Sequence, residues 1–197
     1  MTSPPSARVG GAGGQRAKGS TARSTLESLR QRLGAGATEA LVAALPVSVR
    51  EAVRVAAPTD DLPYAHLVAL WEAAAALVPG EAGSTLPWAE AAGEEAIRSA
   101  GLQLYGGILR KDTPRAFLTQ SVSLFRLFYA PGDMEVVVED GPSAVLRLVG
   151  FDPVTPLFCA RLTGGLRASI RAAGGMEAQA AHVRCTLAGD AFCEWAL

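Results

Sequence analysis

Residues 134–149 read MEVVVEDGPSAVLRLV, and here the period of the chain changes. Met134, Val136 and Val138 alternate with Glu135, Val137 and Glu139; after Asp140-Gly141, Val145, Arg147 and Val149 resume the alternation. A period of two, broken by a glycine turn signal, predicts a β-hairpin. Upstream the apolar residues recur in threes and fours. Ser24 and Glu27 form an S-x-x-E capping box ahead of Leu26, Leu29 and Leu33, and Gly34 closes that helix. A short helix follows from Thr38 to Leu45, stopped by Pro46; Ser48 and Glu51 open another that ends near Ala57, before Pro58. Asp61 caps a longer one with Pro63 in its first turn and a stripe of Leu67, Leu70, Ala74 and Leu77, ended by Pro79-Gly80. Ser84 or Thr85 caps a helix with Ile97, Gly101, Leu104 and Ile108 in register. Thr113-Pro114 starts one with Phe117, Ser121, Leu124 and Phe128 on a face. Downstream of the hairpin, Thr155-Pro156 opens a helix to about Ala173, ended by Gly174-Gly175. Two short strands follow, near Val183 to Leu187 and Phe192 to Leu197, with a turn at Ala188-Gly189-Asp190. The expected class is α+β: a helical N-terminal half, then hairpin, helix, hairpin, with an antiparallel sheet covered by helices.

The chain has 197 residues, the size of one domain with or without a tail. Apolar residues make up 49%, enough for a core. Eighteen Lys and Arg against 19 Asp and Glu argue against a nucleic-acid partner held by bulk charge. No apolar run approaches the roughly 18 residues of a membrane span. Residues 1–25 are rich in Gly, Ser, Pro and Arg, hold no acid and have no apolar period. They are expected to form a disordered tail, leaving residues 26–197 as the single domain. The Gly10-Gly11-Ala12-Gly13-Gly14 run is no phosphate loop, lacking a strand before it and a helix after it. With no apolar stretch behind the N-terminal basic residues, a secretory signal is not expected and the compartment is read as cytoplasmic. G-x-S-x-G, H-E-x-x-H and P-loop patterns are absent, and no enzymatic activity is expected.

The residues that carry chemistry lie near the C-terminus. Cys159, His182, Cys185 and Cys193 hold all three cysteines and one of the two histidines, spaced C-x22-H-x2-C-x7-C. Three sulfurs and an imidazole are a common structural zinc set, and four protein ligands leave no position for a reactive water. A three-residue loop at Ala188 to Asp190 places Cys185 opposite Cys193, within reach of one ion. Cys159 falls in the first turns of its helix, where free N–H groups favour a thiolate. Two plainer readings stay open: Cys159 as ordinary core beside Leu162 and Leu166, and a disulfide between Cys185 and Cys193.

The segment HVRCTLAGDAFCEWAL, His182 to Leu197, resembles the closing hairpin of 4-vinyl-reductase-type domains through Cys185, Gly189-Asp190 and Cys193-Glu194-Trp195. These domains share a superfamily with haem-NO-binding domains and Golgi trafficking subunits. The resemblance implies a zinc held by three cysteines and an acidic residue, whose place His182 takes here. Residues 26–197 are also similar to an uncharacterised myxobacterial paralogous family of about 200 residues, through FRLFYAPGDMEVVVEDGP and PLFCARLTGGL. The resemblance implies a sensor or adaptor that binds a small apolar ligand, a partner protein or both, and that pairs as a homodimer. Alternatives are a protein-contact scaffold with a closed core and an accessory protein of tetrapyrrole metabolism. The aromatic residues Tyr105, Phe117, Phe125, Phe128 and Tyr129 are the candidate pocket lining, with Trp88 nearby and Tyr105, Arg110 and Tyr129 as polar handles. Plain core packing is the competing account of them. No haem is expected, because His66 matches no haem-branch motif and is read as a surface or half-buried residue.

Overall fold

The computed structural model describes residues 14–78, 86–101, 125–140, 143–175 and 179–197. The helical half begins earlier than the sequence suggests. Arg16–Lys18 form strand β1, and helix α1 runs from it over Gly19–Leu33. The expected tail is therefore ordered from Arg16 onward, and Ser24 lies inside α1 rather than capping it. The cause is chemical. Helix α1 is polar in composition yet buries Ser20, Thr21, Ser24, Thr25 and Ser28. Ser24 and Thr25 donate to the Thr21 carbonyl at 3.0 and 2.8 Å, and Trp71 Nε1 donates to Thr25 Oγ1 at 3.1 Å. The Ser24 and Thr25 hydroxyls, satisfied within their own helix and by the aromatic they face, are buried at little cost, whereas Ser20 Oγ has no partner among the described residues. Gly19 allows the close approach: a Cβ there would lie 2.1 Å from the Ala57 carbonyl oxygen.

Gly34 and Pro46 divide the next stretch into α2 (Ala35–Ala44) and α3 (Val47–Val55). Strand β2 (Asp61–Pro63) pairs antiparallel with β1, and β3 (Tyr129–Ala130) flanks β1 on its other side. Asp61 thus serves a strand and meets Lys18 at 2.7 Å instead of capping a helix. Helix α4 (Tyr64–Leu77) buries Leu67, Leu70 and Ala74 as expected, but Leu77 is exposed, and Tyr64 and Trp71 complete the buried face. Helix α5 (Leu86–Ala96) runs on into a π turn, Ile97–Gly101. The expected continuation to Ile108, the helix from Thr113-Pro114 and the caps at Ser84 or Thr85 lie outside the described residues.

The hairpin forms as the alternation requires. Strands β4 (Asp133–Asp140) and β5 (Ser143–Val149) pair antiparallel, with a bulge between Val136 and Val138. Ala144, Leu146 and Leu148 face inward. The final strands are β6 (Ala181–Arg184) and β7 (Cys193–Ala196), and the sheet order is β4-β5-β7-β6. β6 stops at Arg184 because Cys185 already begins the turn. On the outer side Glu194 is buried between Arg147, at 2.7 Å, and Arg184, at 3.4 Å. The loop before the last helix is tied down from two sides: Tyr64 Oη donates to Pro153 O at 2.7 Å and Gln15 Nε2 to Asp152 O at 3.1 Å. Within it Val154 is held at φ 61°, a conformation that a β-branched residue adopts only under constraint.

Helix α6 (Pro156–Ala172) covers the inner face of this sheet and crosses α5. The crossing is a backbone contact. A Cβ on Gly93 would sit 2.0 Å from the Arg161 carbonyl oxygen, and one on Gly164 would sit 2.0 Å from that of Glu90. Arg167–Glu90 and Arg171–Glu94 ion pairs, at 3.3 and 2.9 Å, flank it. The architecture is α+β, with an antiparallel sheet covered by helices. Among the described residues no helix is long and apolar enough to cross a membrane. Replacing Gly164 with Ala forces the two backbones apart, and overpacking of this kind costs about 1–3 kcal/mol or more. Urea unfolding of Gly164→Ala is expected to show at least that loss, whereas Gly36→Ala, with nothing within 4 Å of the added carbon, is expected to show none.

Candidate metal centre

Helix α6 supplies the first sulfur. Thr155 caps it, Oγ1 accepting from Leu157 N at 3.4 Å, and Pro156 occupies the first turn. Cys159 then points into the interior and is buried. Strand β7 supplies Cys193, also buried and paired with Leu148 of β5. Cys185 lies one step past the last β6–β7 pair, Arg184 with Glu194, which sets it opposite Cys193. The turn behind it is tightly bonded. Ala188 and Asp190 N–H groups donate to Cys185 O at 2.9 and 3.1 Å, and Cys185 N donates to the Asp190 carboxylate at 2.8 Å. Gly189 turns the chain at φ 99°, where a side chain would be strained. Thr186 N donates to Cys193 Sγ at 3.4 Å, and the Thr186 hydroxyl lies 3.3 Å from the same sulfur.

The imidazole comes from β6. His182 stacks on Trp195, with ring centroids 4.6 Å apart and planes 19° from parallel. Trp195 is fully buried and donates Nε1–H to Thr163 Oγ1 at 2.8 Å; Thr163 in turn donates to Cys159 O at 2.9 Å. The ring is thereby oriented by a chain of contacts that returns to α6, as outer-shell partners orient metal ligands. His182 Nε2 is buried and has no hydrogen-bond partner among the described residues.

The ligand atoms of Cys159, His182, Cys185 and Cys193 all lie within 4.8 Å of one another. A tetrahedral zinc with Zn–S bonds of about 2.3 Å spaces its sulfurs roughly 3.8 Å apart, so closing on an ion needs only a small contraction. All three cysteines are free, so Cys185 and Cys193 form no disulfide. The hydrogen bond from Cys159 pushes Cys193 down to about 4 against the opposing effect of burial. The Thr186 donors and the neighbouring His182 ring add to the lowering, the ring without meeting hydrogen-bond geometry at Nε2. Cys159 is pushed up, because it keeps the proton that it shares with Cys193 and because it is buried. A soft S3N donor set with a thiolate already favoured suits zinc, which would replace the shared proton and satisfy the orphaned nitrogen. Cys159 as plain core leaves that nitrogen unexplained.

The aromatic residues gather differently from the sequence expectation. Phe125 is buried, Phe128 and Tyr129 are half-buried, and Tyr105, Phe117 and Arg110 lie outside the described residues. Phe125 and Tyr129 join Tyr64, Phe151 and Phe158 in one edge-packed cluster, with ring centroids 4.9–6.2 Å apart. Tyr64 extends it to Trp71 at 6.1 Å. Tyr64, Trp71, Phe151 and Phe158 are not singled out by the sequence, since they lie well apart from the aromatic-rich stretch, two on α4 and two around the start of α6. Trp88 is buried with its Nε1 lacking a partner among the described residues. An open cleft of about 510 Å³ runs past Arg126, Tyr129, Pro131 and Gly150, so among the described residues Tyr129 is the expected lining residue that reaches it.

No protein-family model matches the chain, and no curated protein is similar to it in sequence. Solved structures are similar in fold. The H-NOX protein from K. algicida, in its unliganded Fe(II) form, matches with a TM-score of 0.68 and 10% identity, over 91% of this chain and 94% of that one. The H-NOX protein from S. oneidensis in the Fe(II)NO state matches with 0.67 and 14%, over 91% and 97%. A structure described as modulating heme redox potential through porphyrin distortion matches with 0.61 and 11%, over 91% and 92%. The fold is thus of the haem-NO-binding type. This corrects the expectation that haem plays no part: the proteins that share the fold are described by their iron ligation and heme. An iron porphyrin asks for an axial base and for donors to its carboxylates. His66 on α4 is half-buried, with a buried Nδ1 that has no partner among the described residues. Arg161 is a buried guanidinium. Both donor types are present in this chain.

The shared proton makes the metal-free protein sensitive to pH. Unfolded, both buried sulfurs are protonated at neutral pH; folded, Cys193 is ionised. Its contribution to stability is complete above the ordinary thiol range and is lost as the pH falls toward about 4. The proton held on Cys159 reverses the slope above that range. Urea unfolding of chelator-treated protein is expected to show stability rising from pH 5 to pH 8, by more than in Cys193→Ser.

Proposed function

We propose that this chain is a non-enzymatic, cytoplasmic sensor or adaptor domain of the 4-vinyl-reductase type. In it a structural zinc, held by Cys159, His182, Cys185 and Cys193, fixes the closing hairpin to helix α6. The observation that carries this reading is the convergence of three sulfurs and an imidazole nitrogen within 4.8 Å, on a ring whose Nε2 has no partner among the described residues. Four protein ligands close the coordination sphere, so the ion stabilises rather than reacts. The ligand is a small, largely apolar molecule that meets the aromatic cluster of Tyr64, Trp71, Phe125, Tyr129, Phe151 and Phe158. Haem is one candidate, by analogy with the H-NOX neighbours. When bound it would supply an iron for gas ligands, with His66 as the imidazole not committed to the sulfurs.

A second reading, a scaffold that makes protein contacts, draws on α3, where Val47 and Val55 are 56% and 81% exposed. Such a surface accords with pairing of two copies through their helices.

Protein purified without chelator is expected to carry about one zinc per chain by elemental analysis. Cys193→Ser and Cys185→Ser are expected to lose it and to melt several degrees lower, while Cys159→Ala is expected to lose both zinc and more of the core. Less than about a tenth of an equivalent in wild-type protein expressed with ample zinc contradicts the site. Native mass spectra of untreated protein are expected to show a co-purified small molecule; a clean mass together with a dimer in sedimentation favours the scaffold.

A further inference from the structure

Helix α6 carries a second buried group that the metal site does not use. Arg161, two residues past Cys159, is 4% exposed. Among the described residues no carboxylate pairs with it, and its Nη1 has no hydrogen-bond partner. The other arginines of its helix are paired, Arg167 with Glu90 and Arg171 with Glu94, as is Arg147 of the sheet with Glu194. Its guanidinium lies 4.9 Å over the Trp71 ring. The phenols of Tyr129 and Tyr64 are close enough to couple to its charge. Neither neutralises it: Tyr64 already donates to Pro153 O, and burial holds both phenols in the protonated form. One turn back, Phe158 stacks on Phe151 and meets Tyr64 and Tyr129 edge-on. Among the described residues, a permanent cation thus faces an aromatic interior without a counter-ion.

A cation–π contact compensates only part of the hydration that a buried guanidinium gives up. Arginine does not escape the penalty by losing its proton, since it stays charged in proteins. An isolated buried charge is retained where its counter-ion arrives from outside, and a guanidinium fork matches the two oxygens of a carboxylate.

We infer that Arg161 anchors the carboxylate of a bound small molecule whose apolar body lies against Tyr64, Trp71, Tyr129 and Phe158. The inference rests on the ligand-binding half of the proposed function and names the class of ligand: an organic acid with a hydrophobic or aromatic body. A porphyrin propionate, a fatty acid and an aromatic acid share that chemistry, and the test separates them.

Zinc-loaded full-length protein is titrated with three acid and ester pairs: dodecanoic acid and its methyl ester, 2-naphthoic acid and its methyl ester, and hemin and its dimethyl ester. Binding is read by native mass spectrometry and, for the first two pairs, by tryptophan fluorescence. At least one acid is expected to bind about tenfold or more tightly than its ester. The pair that shows the difference identifies the source of the carboxylate. Arg161→Gln is expected to erase the preference by weakening the acid while leaving the ester within about twofold, and Arg161→Lys to keep part of it. Equal binding of acid and ester to the wild type, or a preference that survives Arg161→Gln, overturns the inference and leaves the sensor reading standing. Binding of no acid and no ester overturns both, with zinc content judging the metal site separately. Zinc content also reports folding of the variants; should Arg161→Gln fail to retain it, the wild-type comparison and Arg161→Lys decide.

Discussion

The contact on which the rest of the molecule depends is the crossing of α5 and α6. Gly93 and Gly164 bring the two backbones together where any side chain would meet a carbonyl oxygen at about 2 Å. That contact sets the place of α6, and α6 holds the groups of interest. Cys159 projects from its first turns toward β7, Thr163 receives the indole of Trp195, and Arg161 reaches across to Trp71 of α4. A rigid helix seated by its backbone presents these groups with little freedom, the condition under which a site keeps its geometry.

The sulfur cluster holds the opposite side of the same helix. The β6–β7 hairpin has a short edge strand and an exposed turn, and a two-stranded element of this kind is weakly stable by itself. Its order comes from three sources: pairing of β7 with β5, the buried Trp195 with its hydrogen bond to Thr163, and the convergence of Cys185 and Cys193 on Cys159. The aromatic cluster lies between α4, β3 and the start of α6, so the sulfur cluster and the buried guanidinium share one helix but face different neighbours. The likeness to H-NOX proteins, at 10–14% identity, lies in the path of the backbone.

Much of the architecture was legible in the sequence, for identifiable reasons. The hairpin of β4 and β5 was readable because a two-residue period is a local signal, and helix α6 because Thr155-Pro156 and Gly174 mark its ends. The cluster of three cysteines and His182 was readable because sulfur is scarce in this chain. Only the first turns of the polar helix α1, Gly19 to Thr25, read as tail, because they lack an apolar period and their burial rests on hydroxyls satisfied within the helix and by Trp71, far away in sequence. The expected pocket residues come from the stretch 105–129, whereas the observed cluster adds Tyr64 and Trp71 of α4, Phe151 of the loop before α6 and Phe158 of α6. Arg161 left one trace: it falls three residues after Phe158, on the apolar face of an amphipathic helix, where an arginine is out of place.

By itself the sequence determined the class of fold, the order of its C-terminal elements and which cysteines to look for together, because periodicity, caps and rare residue types are properties of short windows. Only the tertiary structure decided that α1 is core, that Gly93 and Gly164 are a helix crossing, and that, among the described residues, a His182 nitrogen has no partner and Arg161 is buried without a carboxylate. These facts concern what lies across a space from a residue rather than beside it in the chain. Burial and pairing are settled when distant segments meet, and no local pattern carries them.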